Sequence, residues 1–240
     1  MNTSDGNGTL ISHLEELRRR LLKILGVTAL FYPAAYAASP YLIRLLVKFC
    51  FPPELGQLHY FSPMEVFFSQ LKLALVLSLM AAYPWNIVQV WRFLLPALYP
   101  KERKALGWWI VGTSVLFFAG VAFCIVAILP MLMRFSAEFA SEEIRPVLGL
   151  SRFLNLAGWL SLAFGLMFQA PVVVLLAVRF GFTTAEKLRR KRPYVMTVIL
   201  IAAAVLTPPD VVSQLMLAIP TWLLFEAGLL LAGRLGKAVY

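Results

Sequence analysis

The chain has 240 residues, of which 60% are hydrophobic and 14% are charged. A water-soluble domain usually has about 45–50% apolar and about 25% charged residues, so this composition excludes an ordinary soluble domain and indicates a membrane protein. The net charge of +10 would also suit nucleic-acid binding, but the basic residues lie between long apolar runs and report membrane topology instead. We therefore predict no nucleic-acid partner.

The apolar runs predict the membrane-spanning helices. Such a helix needs about 20 apolar residues to cross about 30 Å of hydrocarbon. We predict six spans, at residues 21–43, 66–96, 105–133, 153–180, 193–207 and 212–232. Residues 1–9 are rich in Gly, Asn, Ser and Thr, which predicts a disordered cytoplasmic tail. Residues 10–240 then form one six-helix domain, so the fold class is an all-α polytopic membrane protein.

The connections between these spans alternate in charge. Basic residues gather before span one, between spans two and three, between spans four and five, and after span six. They are Arg18, Arg19, Arg20, Lys23, Lys101, Arg103, Lys104, Arg179, Lys187, Arg189, Arg190, Lys191, Arg192, Arg234 and Lys237. Because Lys and Arg resist translocation, we predict that this side is cytoplasmic. An even number of spans then places both termini in the cytoplasm.

Prolines interrupt several of the spans. Span five is bounded by Pro193 and Pro208, which leaves about 14 residues that rise only about 21 Å as a helix. We therefore predict that the bilayer thins near spans five and six, or that neighbouring proteins cover them. Proline kinks a helix, so the interrupted spans are expected to curve into a concave wall. The interrupting prolines are Pro84, Pro96, Pro130, Pro171 and Pro220.

No catalytic or metal-binding pattern is found in the sequence. HExxH, GxSxG and Walker motifs are absent, which argues against an enzyme. The two cysteines, Cys50 and Cys124, form no CxxC motif, and there are two histidines, so we predict no metal site and two unpaired thiols.

Three polar residues within the apolar spans are candidates for a functional role: Lys72, Gln169 and Glu226. Burying a charge in hydrocarbon is costly, so such residues commonly face a cavity or a partner. The alternative is a packing hydrogen bond or a lysine that reaches the membrane surface.

Acidic residues are scarce on the predicted cytoplasmic side. Glu15 and Glu16 precede Arg18, and Glu102 lies between two basic residues. Each acid could pair with a neighbouring arginine of this chain, which composition alone favours. It could instead accept a guanidinium from another chain, because a carboxylate matches the arginine fork.

The order of these motifs resembles the TatC subunit of the twin-arginine protein translocase, over about residues 10–232. Each motif is weak alone, and the set is specific through its order and spacing. The matching residues are Ser12–Leu21, Pro63, Glu65, Phe67, Lys72, Pro84, Gln89, Trp91, Phe93, Pro96, Leu98, Tyr99, Glu102, Phe123, Pro130, Phe164–Leu166, Pro171, Leu188–Tyr194, Leu206–Asp210, Ser213, Gln214, Ala218, Pro220, Phe225 and Glu226.

The resemblance implies a glove-like, six-helix receptor for twin-arginine signal peptides of folded cargo proteins. The two family acids that receive the signal arginines fall on Glu16 and Glu102, with Glu15, Arg18 and Phe93 beside them. Family positions with a structural role are expected at Pro84, Pro96, Pro208, Pro209 and Asp210.

The resemblance also implies partners and a location. Single-span subunits of the TatA and TatB type are expected, TatB along span five and TatA near Gln169, in an oligomeric complex of a prokaryotic inner membrane. The proton-motive force would supply energy without a cofactor. One position departs from the family, because Gln169 stands where a glutamate is usual and cannot ionise.

A competing hypothesis is a secondary transporter for a small solute or proton. Glu226, Lys72 and Gln169 would then line a pathway at the membrane midplane. No inverted repeat is visible between the two halves of the sequence, which weakens this alternative. An intramembrane enzyme is a third possibility, but the sequence offers no nucleophile–base pair.

Overall fold

The computed structural model describes residues 5–51, 58–94, 106–138, 147–207 and 211–236. Within these ranges the chain is helical, and the one β-type pairing is an isolated bridge between His59 and Gly149. The elements are α1 (Asp5–Cys50), α2 (Pro63–Leu94), α3 (Leu106–Phe123), a π-helical turn (Cys124–Ile128), α4 (Leu129–Glu138), α5 (Leu150–Met167), α6 (Ala170–Arg179), α7 (Ala185–Arg190), α8 (Arg192–Leu206) and α9 (Val211–Gly236).

The helices agree well with the predicted spans. In the described part of the chain, five helical stretches are long and apolar enough to cross a membrane: Leu14–Cys50, Pro63–Phe93, Gly107–Glu138, Leu150–Arg179 and Val211–Gly233. The remaining predicted span corresponds to α8, which is apolar but has 15 residues. The predicted short apolar helix is therefore present, and its crossing of the membrane stays a prediction.

The first helix is longer than predicted at both ends. α1 contains 46 residues, which corresponds to about 69 Å, more than twice the thickness of the hydrocarbon layer. It begins at Asp5 and ends at Cys50, whereas the predicted span covers residues 21–43. Extending a formed helix costs far less than nucleating one, which explains how a polar segment continues the helix that follows it.

The prolines have different consequences in different spans. Pro84 and Pro220 lie inside helices that continue through them. Pro171 lies at the start of α6, after a two-residue break that follows α5. Pro96 lies outside the described residues. Proline position alone therefore did not reveal which spans would be interrupted.

Pro130 is accommodated by the π-helical turn that precedes it. The Leu129 N–H donates to the carbonyl of Cys124, five residues earlier. Pro130 has no N–H, so the next carbonyl, of Ile125, loses its partner in this π pattern. The Cys50 thiol donates to the Ile125 carbonyl oxygen at 3.5 Å. Both cysteines are buried and free, as predicted.

The chain divides into two compact units. Unit 1 consists of Met1–Pro40 and Gln70–Ser114, and unit 2 of Tyr41–Ser69 and Val115–Tyr240. In unit 1, the Tyr32 hydroxyl donates to the Leu71 carbonyl at 3.4 Å and links α1 to α2. The rings of Trp91 and Trp109, 5.8 Å apart, join α2 to α3.

The core of unit 2 forms where α9 packs against α6, α7 and α8. Glycines allow close approach of its helices, as small residues do in membrane proteins. A Cβ atom at Gly228 would lie 2.8 Å from the Cα of Pro171, and one at Gly165 would lie 2.5 Å from the Phe117 ring. Neither position has room for a larger residue without movement of its neighbours.

Local signals define the connection between α6 and α8. Gly181 has φ of +73°, a conformation that suits glycine just after a helix. Thr184 then caps α7, because its hydroxyl oxygen accepts from the Lys187 N–H at 3.2 Å. These two residues turn the chain and start the short basic helix α7, which was not predicted as a separate element.

Candidate functional site

The site begins with the acid that the family motif places on α1. Glu16 lies four residues before Arg20, a spacing that puts the two side chains on one face of a helix. Arg20 Nη2 donates to Glu16 Oε1 at 2.8 Å. The pair is partly open to its surroundings, because the exposed fractions are 32% for the Glu16 side chain and 20% for Arg20. Glu16 therefore already binds a guanidinium, that of its own chain.

A second bond connects this pair to α2. Arg20 Nη1 donates to Gln89 Oε1 at 3.2 Å. Gln89 is 1% exposed, so its amide is held inside unit 1. Arg20 thus divides its guanidinium between two acceptors and forms a chain of contacts, the Glu16–Arg20–Gln89 chain. No contact with another described residue occupies Glu16 Oε2, the second carboxylate oxygen.

The structure brings some of the predicted site residues near this chain of contacts. Phe93 lies four residues after Gln89 on α2, which places it on the same helix face, and it is half-buried. Glu15 and Arg18 are exposed on α1. Glu102 lies outside the described residues, so its pairing with Glu16 stays a prediction.

Glu226, predicted as a polar residue within span six, forms an ion pair in unit 2. Arg192 Nη2 donates to Glu226 Oε2 at 2.7 Å, across 34 residues of sequence. Arg192 is the first residue of α8 and Glu226 lies on α9. A carboxylate near a helix N-terminus also interacts favourably with the helix dipole. This bond joins two helices, so a structural role explains Glu226 without a partner.

Comparison with known proteins now adds to these observations. The family model described as TatC, Sec-independent protein translocase protein, matches residues 12–220. The chain belongs to the TatC family. Its role is that of a translocase subunit rather than an enzyme, as the motifs predicted.

Individual relatives agree with the family match. TatC of Escherichia coli (strain K12) is 38% identical over 226 residues, which cover 91% of this chain and 86% of the relative. TatC of Haemophilus influenzae is 34% identical over 234 residues, which cover 97% of this chain and 91% of the relative. The crystal structure of a twin-arginine translocase receptor, TatC, aligns with a TM-score of 0.82 at 29% identity and covers 92% of this chain and 98% of that one.

Gln169, where the TatC family usually has glutamate, lies in the break between α5 and α6. Its side-chain Nε2 donates to the Gly165 carbonyl at 3.3 Å, and the residue is half-buried. Lys72 is exposed on α2, and no described carboxylate lies within ion-pair distance of it. The three polar residues of the spans therefore have three different environments.

Also in unit 2, Glu65 holds a loop to a helix. Its Oε2 accepts from the Phe61 N–H at 2.8 Å, and its Oε1 accepts from the Ser151 N–H at 3.4 Å near the start of α5. The bridge between His59 and Gly149 lies in the same region. Pro208, Pro209 and Asp210, predicted as structural, lie outside the described residues.

The sequence favoured pairing of Glu16 with a neighbouring arginine of its own chain, but it identified neither Arg20 as that arginine nor Gln89 as the second partner of Arg20. The four-residue spacing could have paired Arg20 with Glu16, since such pairs are frequent on helices. Gln89 could have been noticed as an amide in an apolar helix, which usually has a hydrogen-bond partner. No sequence rule joins residue 20 to residue 89, because that contact depends on how α1 and α2 pack.

Proposed function

We propose that this TatC-family chain is the signal-peptide receptor of a twin-arginine translocase and that Glu16 accepts a signal arginine. The observation that carries the proposal is the 2.8 Å bond from a guanidinium to Glu16 Oε1. It demonstrates that this carboxylate, on a partly exposed helix face, accepts an arginine side chain. A signal guanidinium would use Oε2, which has no contact with another described residue, or would replace Arg20 at Oε1.

The chemistry of the two groups supports a preference for arginine over lysine. Guanidinium is planar and presents a fork of N–H donors that matches a carboxylate, whereas an ammonium is a compact point charge. Glu102 would accept the second signal arginine. Phe93 would contact apolar residues of the signal. Arg18 and the other nearby bases would weaken the attraction of all cations, so the fit of the guanidinium fork to the carboxylates would decide binding.

The proposed topology has six spans with both termini in the cytoplasm, in the inner membrane of a prokaryote. The five long apolar helices and the shorter α8 support this count, since each of them would cross the membrane once. The basic residues of α7 and of the N-terminal part of α1 would lie on the cytoplasmic side, since such residues resist translocation. Glu16 would then be accessible to a signal peptide before transport.

Exposed apolar surfaces support contacts with single-span partner helices. α8 exposes an apolar stripe at helical spacing, a pattern suited to a TatB-type helix as well as to lipid. The stripe consists of Tyr194, Val198, Ile201 and Val205. Leu166 and Val173, on either side of Gln169, are also exposed, which supports a TatA-type helix there. An oligomeric complex driven by the proton-motive force completes the proposal.

A solute transporter gains no support from the site. Its proposed pathway requires Glu226, Lys72 and Gln169 to act together, but Glu226 is bonded to Arg192 and Lys72 is exposed. Both observations suit structural or surface roles.

The test is peptide binding to the purified chain in nanodiscs. A signal peptide containing Arg-Arg and carrying a photo-crosslinker should label α1 near Glu16. The same peptide with Lys-Lys should label at least about tenfold less, because it lacks the bidentate geometry. Glu16→Gln should reduce Arg-Arg labelling by about tenfold or more, because the amide loses its charge and accepts at one atom.

The matched control is Glu186→Gln, which removes the same charge from a surface ion pair whose side chain is 76% exposed. It should leave labelling unchanged. Equal labelling by both peptides, or no effect of Glu16→Gln, would remove Glu16 from the proposed receptor site.

A further inference from the structure

The guanidinium that occupies Glu16 is chemically identical to the group that the proposed receptor must bind. Arg20 reaches Glu16 Oε1 from one helical turn away, at 2.8 Å. Its bond uses the same donor and acceptor types as a signal arginine would use. The contact is therefore more than a surface ion pair, because it fills the acceptor that the ligand needs.

The structure also provides a place for Arg20 once it leaves Glu16. Arg20 Nη1 is already bonded to Gln89 Oε1 at 3.2 Å, and Gln89 is almost fully buried on α2. A displaced guanidinium would keep this bond instead of losing both acceptors. Leaving a polar group without any partner is what makes the loss of a buried hydrogen bond costly. Gln89 lowers that cost for Arg20.

We infer that Arg20 is an internal competitor, which occupies Glu16 in the empty receptor and is exchanged for the guanidinium of the signal peptide. The inference rests on the proposed role of Glu16. The exchange replaces one guanidinium–carboxylate bond by another, so the loss of the Arg20 bond offsets part of the affinity that the signal arginine gains at Glu16. Weak and reversible binding suits a receptor that must release each signal after transport, and Arg20 would recapture Glu16 as the signal departs.

This mechanism makes a defined prediction about affinity. Arg20 lowers the affinity of every peptide that uses Glu16 by the same factor, whether its basic residue is arginine or lysine. Competition from Arg20 therefore lowers the affinity of a weakly binding Lys-Lys peptide below the level needed for recognition. The ratio between the affinities of the Arg-Arg and Lys-Lys peptides is set by the peptides themselves.

The experiment measures the dissociation constant of the Arg-Arg peptide for the full chain in nanodiscs. Arg20→Gln should tighten binding by about two- to fivefold, the factor that an exposed ion pair is worth. Arg19→Gln is the matched control, since it removes the same charge from an exposed neighbouring position on α1. If Arg20 competes for Glu16, the increase in peptide affinity caused by Arg20→Gln exceeds the increase caused by Arg19→Gln.

A double variant separates competition from a general effect of charge. In a Glu16→Gln background, Arg20 has no carboxylate to block. In that background, Arg20→Gln should therefore increase the affinity for the Arg-Arg peptide no more than Arg19→Gln does. Coupling between two contacting residues is what such a cycle measures. An equal gain in both backgrounds would overturn the inference.

A second variant retains Arg20 and changes the residue that holds it. Gln89→Glu has almost the same shape and gives Arg20 a carboxylate on α2, so Glu16 should be released and the Arg-Arg peptide should bind more tightly. Weaker binding by both Arg20→Gln and Gln89→Glu would overturn the inference, because Arg20 would then orient Glu16 rather than block it.

The two proposals fail in different ways. If Glu16→Gln binds the Arg-Arg peptide as well as the unmodified chain does, the receptor site itself is wrong. If Glu16→Gln loses binding while Arg20→Gln matches Arg19→Gln, only the competitor role is wrong.

Discussion

Two carboxylate–guanidinium bonds of nearly equal length differ in every other respect. In unit 1, Arg20 binds Glu16 at 2.8 Å within one helix, four residues apart. In unit 2, Arg192 binds Glu226 at 2.7 Å and joins α8 to α9, 34 residues apart. The first bond can break without moving a helix. The second joins two helices that pack on each other, so it contributes to their attachment.

The comparison shows that bond length does not distinguish a functional contact from a structural one. The useful differences are sequence separation and what each partner does when the bond opens. Arg20 retains Gln89 as a second acceptor, so opening is cheap and the acid becomes available. Opening the unit 2 pair would instead loosen the attachment of the start of α8 to α9. Four predictions follow from this difference, from the largest effect to the smallest.

The largest effect is expected in transport, from Glu16→Gln. If the unit 1 acid is the functional one, this variant should reduce export of a twin-arginine cargo to background, because the signal arginine loses its charged acceptor. Glu16→Ala and Glu102→Ala should do the same. Export is measured in cells that lack any other TatC, with the membrane level of each variant checked by immunoblot. Normal export by Glu16→Gln would contradict the claim that the acid in unit 1 is the functional one.

The second effect concerns stability in unit 2, from Gly120→Ala. An alanine Cβ at this position would lie 2.6 Å from the main-chain oxygen of Phe164, which cannot rotate away. Overpacking of this kind costs about 1–3 kcal/mol. The melting temperature in detergent should fall. Gly112→Ala, on the same helix but with nothing within 4 Å of its Cβ, should melt at or slightly above the temperature of the unmodified chain.

A smaller loss of stability is expected from Glu226→Gln. The pair is partly exposed, at 47% for Arg192 and 25% for Glu226, so we expect about 1 kcal/mol, near the upper end for such pairs. Exchanging the two charges, as Arg192→Glu with Glu226→Arg, should recover part of the loss that either single change causes. Thermal melting measures both. If Glu226→Gln melts normally but abolishes peptide binding, Glu226 belongs to the receptor site and the two pairs are not different in kind.

The smallest effect should appear in the bilayer around α8. Its 15 residues rise about 22 Å, against about 30 Å of hydrocarbon. Because α8 packs against α9, a shift of α8 along its axis would disrupt that packing, and the bilayer should thin locally by a few ångströms. Cryo-electron microscopy of nanodiscs can compare the membrane beside α8 with that beside α2, which has 32 residues. Uniform thickness would reject thinning.

Much of the helical architecture could be read from the sequence, because crossing a membrane imposes a length and a composition on each helix. The five long spans and the short α8 were predicted to within a few residues at most ends. The predicted elements differ from the observed ones where a segment does not have to cross the membrane. α1 extends beyond the predicted span at both ends, and α7 lies in a polar connection where no apolar run reveals it.

The local break in span four shows a second limit of prediction from the sequence, which concerns where a proline interrupts a helix. Pro84 and Pro220 lie within continuous helices, whereas Pro171 follows a break. A proline removes one donor wherever it occurs, but whether the helix continues depends on what the freed carbonyl can bind and on what packs against it. The thiol of Cys50, which reaches the π-helical turn before Pro130, is such a contact. It joins residues 75 apart in sequence.

The sequence by itself determined the membrane class, the apolar helices and the family, because these depend on composition and on the order and spacing of motifs along the chain. The role of Glu16 as an acceptor stays a prediction. Only the tertiary structure decided which partner each charged group finds. Hydrogen bonds reach about 3 Å, so the meeting of Arg20 with Gln89 or of Arg192 with Glu226 depends on helix packing that no local pattern encodes. That packing makes one ion pair exchangeable and the other structural.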